Sequence, residues 1–206
     1  MRVAIVGGTG PFGRALATRL REAGVDVVIG SRDAERAQTT ALELDCTGET
    51  NGAACADATF VILAVNADAA LDTSRELRHE IGSKPVLSVA SELRFSKDGV
   101  FPTPDAVSLA ERIQEVLDGP VLAGLHSLAA SSLAGDEPPE EDAFVCGDEA
   151  EAKAQGLELA AKITDGRALD AGPLASARAL EGLTAVIVNL NRRDQGHAGI
   201  RVTGLD

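Results

Sequence analysis

The stretch "VAIVGGTGPFGRALATRL", Val3 to Leu20, sets Gly8, Gly10 and Gly13 in the spacing G-x-G-x-x-G between an apolar run and an amphipathic one. Residues 2–6 read as a buried parallel strand, and the period of Ala15, Leu16, Arg19 and Leu20 reads as a helix that stops at Gly24. Pro11 suits a first helical turn, where its missing N–H costs nothing. In that context the glycines form a phosphate cradle. Gly8 permits the tight turn, Gly10 lets the backbone approach a pyrophosphate, and Gly13 lets helix and strand pack closely. The helix N-terminus adds free N–H groups and the positive end of its dipole.

The second strand, residues 25–29, decides which dinucleotide is held. A site for NAD carries Asp or Glu at this strand end to hold the ribose 2′-OH. Here the strand runs into Ser31 and Arg32, with Arg36 one turn into the next helix. A hydroxyl and two guanidiniums suit a 2′-phosphate, which a carboxylate would repel. Asp33 is free to serve as the N-cap of that helix. The cofactor predicted is NADP(H).

Further along, apolar runs at residues 59–65, 85–90, 120–126, 143–147 and 168–171 alternate with helical periods at 34–44, 68–80, 106–117 and 149–163. Such alternation predicts an α/β fold, a Rossmann-type doubly wound parallel sheet. Residues 91–104, broken by Gly and Pro, read as a loop. The chain then divides into a Rossmann-type domain, residues 1–171, and a C-terminal helix and tail, residues 172–206.

Composition narrows the partners. The 206 residues carry a net charge of −13, which opposes nucleic-acid binding. No apolar run approaches the roughly 20 residues of a membrane span. No secretory signal precedes the first strand, so the expected compartment is the cytoplasm. Cys46, Cys55 and Cys146 lack metal-ligand spacing and read as small apolar residues; no metal site is expected.

Six segments together resemble one family: "GGTGPFGRALATRL", "VVIGSRDAERA", "VLAGLH", "FVCGDEAEAK", "ALDAGPLASARALEGLTAVIVNLNRR" and "HAGIRVTGL". They are similar to the NADPH-dependent reductases of the 8-hydroxy-5-deazaflavin coenzyme F-420 (F420), along nearly the whole chain. The resemblance implies two cofactors in one cleft and reversible hydride transfer between them. It places Thr9, Pro11 and Phe12 in the dinucleotide loop and Ser31, Arg32 and Arg36 at the 2′-phosphate. Val65 and Asn66 then lie by the nicotinamide, and His126 and Leu128 line the deazaflavin pocket, with His126 orienting the coenzyme. The C-terminal helix and tail complete that cleft.

Three segments depart from the family pattern. Ser91-Glu92-Leu93 stands where an apolar-proline segment is usual, Asn66 stands where proline is usual, and Asp194 replaces an aromatic. A carboxylate pointing inward at Glu92 would oppose a ring that becomes anionic. Two other readings therefore stay open: an NADP-dependent reductase of another small acceptor, an imine or a flavin, and a non-catalytic NADP(H)-binding sensor. Leu180, Leu183, Val186, Ile187 and Leu190 carry more apolar surface than a small cap buries, which predicts a homodimer or higher homo-oligomer.

Overall fold

The computed structural model describes residues 1–205. The first half of the chain contains β1 (Arg2–Val6), α1 (Pro11–Glu22), β2 (Asp26–Ser31), α2 (Ala34–Leu44), β3 (Thr47–Thr50), α3 (Asn51–Asp57), β4 (Phe60–Leu63), α4 (Ala67–Glu76), α5 (Arg78–Ile81) and β5 (Val86–Ser88). A hairpin follows, β6 (Leu93–Ser96) and β7 (Gly99–Pro102). After it come α6 (Leu109–Gln114), β8 (Val121–Gly124), α7 (Ala130–Leu133), β9 (Ala143–Gly147), α8 (Ala150–Ala161), β10 (Ala168–Asp170) and α9 (Ala177–Asp194).

One eight-stranded sheet has the spatial order β10-β9-β8-β5-β4-β1-β2-β3. From β3 to β8 every pairing is parallel, and the order reverses beside β1, where ligands collect at strand C-termini in such sheets. Strand residues alternate between the two faces. Val3, Ile5, Ile29 and Ile62 pack with Leu16 and Leu20 of α1 and Leu159 of α8. Ala4, Val6, Val28, Val61 and Leu63 pack on the other side with Ile81, Leu109, Ile113 and, from α9, Ala177 and Leu180. Both faces are covered, which is why these strands read as continuous apolar runs rather than alternating ones. Cys55 and Cys146 are buried in that second layer, and burial pushes their thiols up to about 12 and about 11.

Three features depart from the sequence expectation. The sheet is not wholly parallel: β9 and β10 run against the rest, through an antiparallel pairing of β8 with β9. The segment between β8 and β9 holds only the four-residue α7, too little for the covering crossover that a parallel neighbour needs. Strand β3 is present at the edge, where its residues are only partly buried and carry no apolar signal. Residues 91–104, expected as a loop, contain the hairpin, turned at Lys97-Asp98 before Gly99 (φ +141°).

Two polar anchors hold the C-terminal part. Asp142, fully buried, accepts from the Arg167 guanidinium (2.7 Å) and from the Val202 N–H (2.7 Å), which folds the tail against β9. That ion pair holds the Asp142 carboxyl far below the usual carboxylate range. On α9, Glu181 accepts from the Leu109 N–H (2.9 Å) at the start of α6 while burial pushes its carboxyl up to about 7. No helix among the described residues is long and apolar enough to cross a membrane.

The tightest backbone approach is at Gly13, where a Cβ would lie 2.7 Å from both the Gly7 carbonyl oxygen and the Gly8 Cα. Overpacking of that kind costs roughly 1–3 kcal/mol. Gly13→Ala is therefore expected to lower the free energy of unfolding, read from urea titration, by that amount; an unchanged urea midpoint would show that the loop and α1 separate freely.

Candidate active site

The loop after β1 turns at Gly7 (φ +81°), one residue earlier than the sequence suggests; Gly8 has ordinary φ. A side chain at Gly8 would instead strike the Ile5 carbonyl and Ile29, both 2.9 Å from its Cβ position. Gly10 caps α1 with extended backbone, and a Cβ there would meet only the Gly7 oxygen, at 3.4 Å, so the space beyond it is open. Pro11 begins α1, leaving the first-turn N–H groups of Phe12 and Gly13 without intrahelical partners.

Against this loop lies a cavity of about 330 Å³, bordered by Thr9, Gly10, Ser31, Arg32, Arg36, Val65 and Asn66. Asp33 is spent as the N-cap of α2, accepting from the N–H groups of Glu35 (3.0 Å) and Arg36 (3.2 Å), while its own N–H donates to Ser31 Oγ. Arg32 and Arg36 pair with no carboxylate among the described residues. A hydroxyl, two unpaired guanidiniums and a helix N-terminus make a donor set that fits a doubly phosphorylated dinucleotide. Asn51, first residue of α3, also borders this cavity, and its buried Oδ1 has no hydrogen-bond partner. The sequence reading missed Asn51 because it missed β3, which carries it there.

A second cavity, about 390 Å³, begins where the first ends, because Val65 and Asn66 border both. Its walls are mostly apolar: Phe12 from α1, Val89 and Ala90 after β5, Leu125 and Leu128 after β8, and Ile187 and Val188 from α9. Of the residues singled out from sequence, Phe12, Val65, Asn66, His126 and Leu128 converge here. Gly8, Pro11 and Gly13 border neither cavity and shape the loop behind them.

Polar groups cross this apolar wall in one chain. Ser91 Oγ donates to Thr184 Oγ1 (2.8 Å), which donates to the His126 carbonyl oxygen (3.0 Å). These bonds join the β5 loop, α9 and the β8 loop around the cavity. Glu92 borders neither cavity; its carboxylate turns away into an ion pair with Arg112. No carboxylate of Ser91-Glu92-Leu93 points inward; of these three residues, Ser91 and Leu93 border the pocket.

His126 follows Leu125, a non-glycine residue in the left-handed region (φ +64°), the type of strained backbone found beside functional groups. The imidazole is buried. Its Nε2 lies 3.3 Å from the Ala90 carbonyl oxygen, which only accepts, so Nε2 carries the proton and Nδ1 keeps a lone pair with no protein partner. Burial outweighs that hydrogen bond and lowers the His126 pKa from 6.5 to about 4. The folded state therefore excludes the imidazolium, and this contribution to stability is complete above pH 6.5 and fades towards pH 4. Urea midpoints of wild type, compared with those of His126→Gln, are expected to fall more steeply with acid across that window. Parallel pH profiles would show that His126 is not held neutral.

The family model described as NADP oxidoreductase, coenzyme F420-dependent, matches residues 2–92. The F420-dependent NADP reductase of Methanothermobacter thermautotrophicus is 33% identical over 222 residues, covering all of this chain and 96% of that one. The F420-dependent NADP reductase of Methanocaldococcus jannaschii is also 33% identical, with both chains covered completely. A crystal structure from Arthrobacter sp. FB24 superposes with a TM-score of 0.84 at 24% identity over 96% of each chain, which establishes the common fold. With a third of its residues shared with those reductases along its entire length, the chain belongs to the F420-dependent NADP reductase family.

Proposed function

We propose that this protein is an oxidoreductase that moves a hydride reversibly between NADP(H) and coenzyme F420. One observation carries the reading: a polar, cation-bearing cavity and an apolar one share the wall Val65–Asn66. A dinucleotide held by its phosphates in the first presents its nicotinamide at that wall, and a second ring in the apolar cavity can stack on it. The bound rings supply the redox chemistry; the chain supplies position and a dry enclosure.

Each residue then has a task. The N–H groups at the start of α1 hold the pyrophosphate, and Gly10 leaves it room. Ser31, Arg32 and Arg36 hold the 2′-phosphate. Val65 and Asn66 border the nicotinamide, and Phe12 and Leu128 wall the deazaflavin. His126, with its proton committed to Ala90, offers Nδ1 as an acceptor to an N–H or O–H edge of that ring and orients it. Residues 172–205 close the cleft through α9. No side chain needs to act as nucleophile, because the hydride passes between the two bound rings.

A second copy of the chain fits the outer face of α9. Val186 is 52% and Leu190 43% exposed, while Leu180 and Ile187 of the same helix are buried. The helix thus divides its apolar residues between its own core and a surface suited to self-association. Light scattering at micromolar concentration is expected to give a mass above that of one chain; a monomer would count against the assembly.

The function is tested by mixing the protein with NADPH and oxidised F420 under anaerobic conditions and following both absorption bands. Wild type is expected to bleach the deazaflavin at the expense of NADPH and to prefer NADPH over NADH by at least about tenfold, or about 1.4 kcal/mol. Arg32→Ala is expected to lose that preference by weakening NADPH and sparing NADH. Equal losses for both nucleotides would remove Arg32 from the 2′-phosphate, and an inert mixture would remove the function.

A further inference from the structure

We propose that Arg19 is a positioning residue that locks one wall of the second cavity to the helix carrying the dinucleotide loop. The inference rests on the reading that hydride passes between rings bound in the two cavities.

Arg19 stands in the helical period of α1 where an apolar residue is usual, and its side chain is only 5% exposed. Glu22, the carboxylate paired with it, lies towards the surface, 3.0 Å from Nη1. The rest of the guanidinium is turned to backbone. Its Nε donates to the Leu133 carbonyl oxygen (2.9 Å), and its Nη2 donates to those of Gly135 (2.5 Å) and Glu137 (2.7 Å). Nη1 reaches the Asp136 carbonyl oxygen at 3.5 Å, the limit of a bond.

A fork of N–H groups therefore closes the C-terminal end of α7. Carbonyl oxygens at a helix end have no partner within the helix. Those of residues 133, 135 and 137 converge, and since carbonyls only accept, a donor has to stand between them. A planar group with five N–H donors meets that need in one rigid geometry, which an ammonium on a flexible stem does not reproduce.

What the fork holds is a wall of the cavity. α7 and the turn before it place Leu128, Ala129 and Ala130 there, and the first turn of α1 places Phe12 there. Both helices thus present their N-terminal ends to the cavity and their C-terminal ends to the fork. From Phe12 to Arg19 α1 rises about 10 Å, and from Ala130 to Leu133 α7 rises about 5 Å. Arg19 itself borders neither cavity, so it acts through α7.

Packing alone does not fix the spacing of these two helices. A groove of about 460 Å³ runs between Arg14 and Thr18 of α1 and Ala130 and Ser131 of α7. The pair is therefore open on one side, and the fork, with buried Leu133, sets the separation. Loss of the fork frees Leu128, Ala129 and Ala130 to move away from α1, while the contacts of Gly7 with Val65 and of Gly13 with Gly7 stay as they are. The dinucleotide is then held as before and the second ring stands off from it. A displacement of about 1 Å slows such a transfer by up to about a hundredfold.

The test compares whole wild-type protein with Arg19→Met and Arg19→Lys by three measurements. These are NADPH affinity, the single-turnover rate constant for reduction of F420 by bound NADPH, and amide hydrogen exchange. In Arg19→Met the rate constant is expected to fall by about tenfold or more while NADPH affinity stays within about twofold. Exchange is expected to quicken at residues 127–137 and to stay unchanged at residues 12–17. Arg19→Lys, with donors but no fork, is expected to recover part of the rate, and it decides by the same criteria if Arg19→Met does not fold. An unchanged rate constant in a folded variant makes the fork purely structural and overturns the proposal. So do equal losses of rate and NADPH affinity, or unchanged exchange at residues 127–137. If wild type binds NADPH but leaves F420 oxidised, the functional reading fails first, and this positioning role with it.

Discussion

No side chain fits between Gly7 and the end of β4. A Cβ on Gly7 would lie 2.7 Å from the Ala64 carbonyl oxygen and 2.8 Å from the Val65 side chain, and the φ of +81° is one that glycine adopts without strain. The same residue is pressed from the other side by Gly13 of α1. This compression sets the glycine loop directly against Val65, so the wall shared by the two cavities is placed by backbone contact rather than by flexible side chains. The position of everything bound in the cleft follows from it.

The second half of the cleft depends on a different device. Its walls come from three segments distant in sequence: the β5 loop, the β8 loop and α9. The Ser91–Thr184–His126 hydrogen bonds tie them together, and Glu181 fastens α9 to the start of α6. Loss of any of these contacts would change the width of the apolar cavity without touching the dinucleotide loop. A hydride transfer needs the two rings at near-contact distance, so the fixed separation of these walls bears directly on rate.

Sequence made the dinucleotide half legible because its signals are local. A strand, a spaced glycine loop, a helix and the Ser31-Arg32 strand end all lie within the first 36 residues. It misplaced the turn by one residue, since glycine spacing does not reveal which glycine takes the positive φ. Strand β3 escaped because Thr47–Thr50 has no apolar periodicity, and Asn51 escaped with it. The hairpin was detectable from Asp98-Gly99 between Phe95 and Val100, but the nearby prolines argued for a loop. The reversed direction of β9 left no trace in its own residues, because a buried strand is apolar in either orientation. The apolar cavity was reachable only through the family resemblance: Leu128, Val188 and Thr184 meet through packing across more than fifty residues of chain. The outward turn of Glu92 depends on Arg112, a partner twenty positions away, which no local pattern announces.

If the two rings meet at Val65–Asn66, hydride passes directly between them. Single-turnover mixing with NADPH carrying deuterium at the transferred C4 position tests it. The label is expected on C5 of the reduced deazaflavin undiluted by solvent hydrogen, in ordinary or heavy water alike. Label lost to solvent, or solvent hydrogen at that carbon, would show that the rings never share the cleft in the way these two cavities imply.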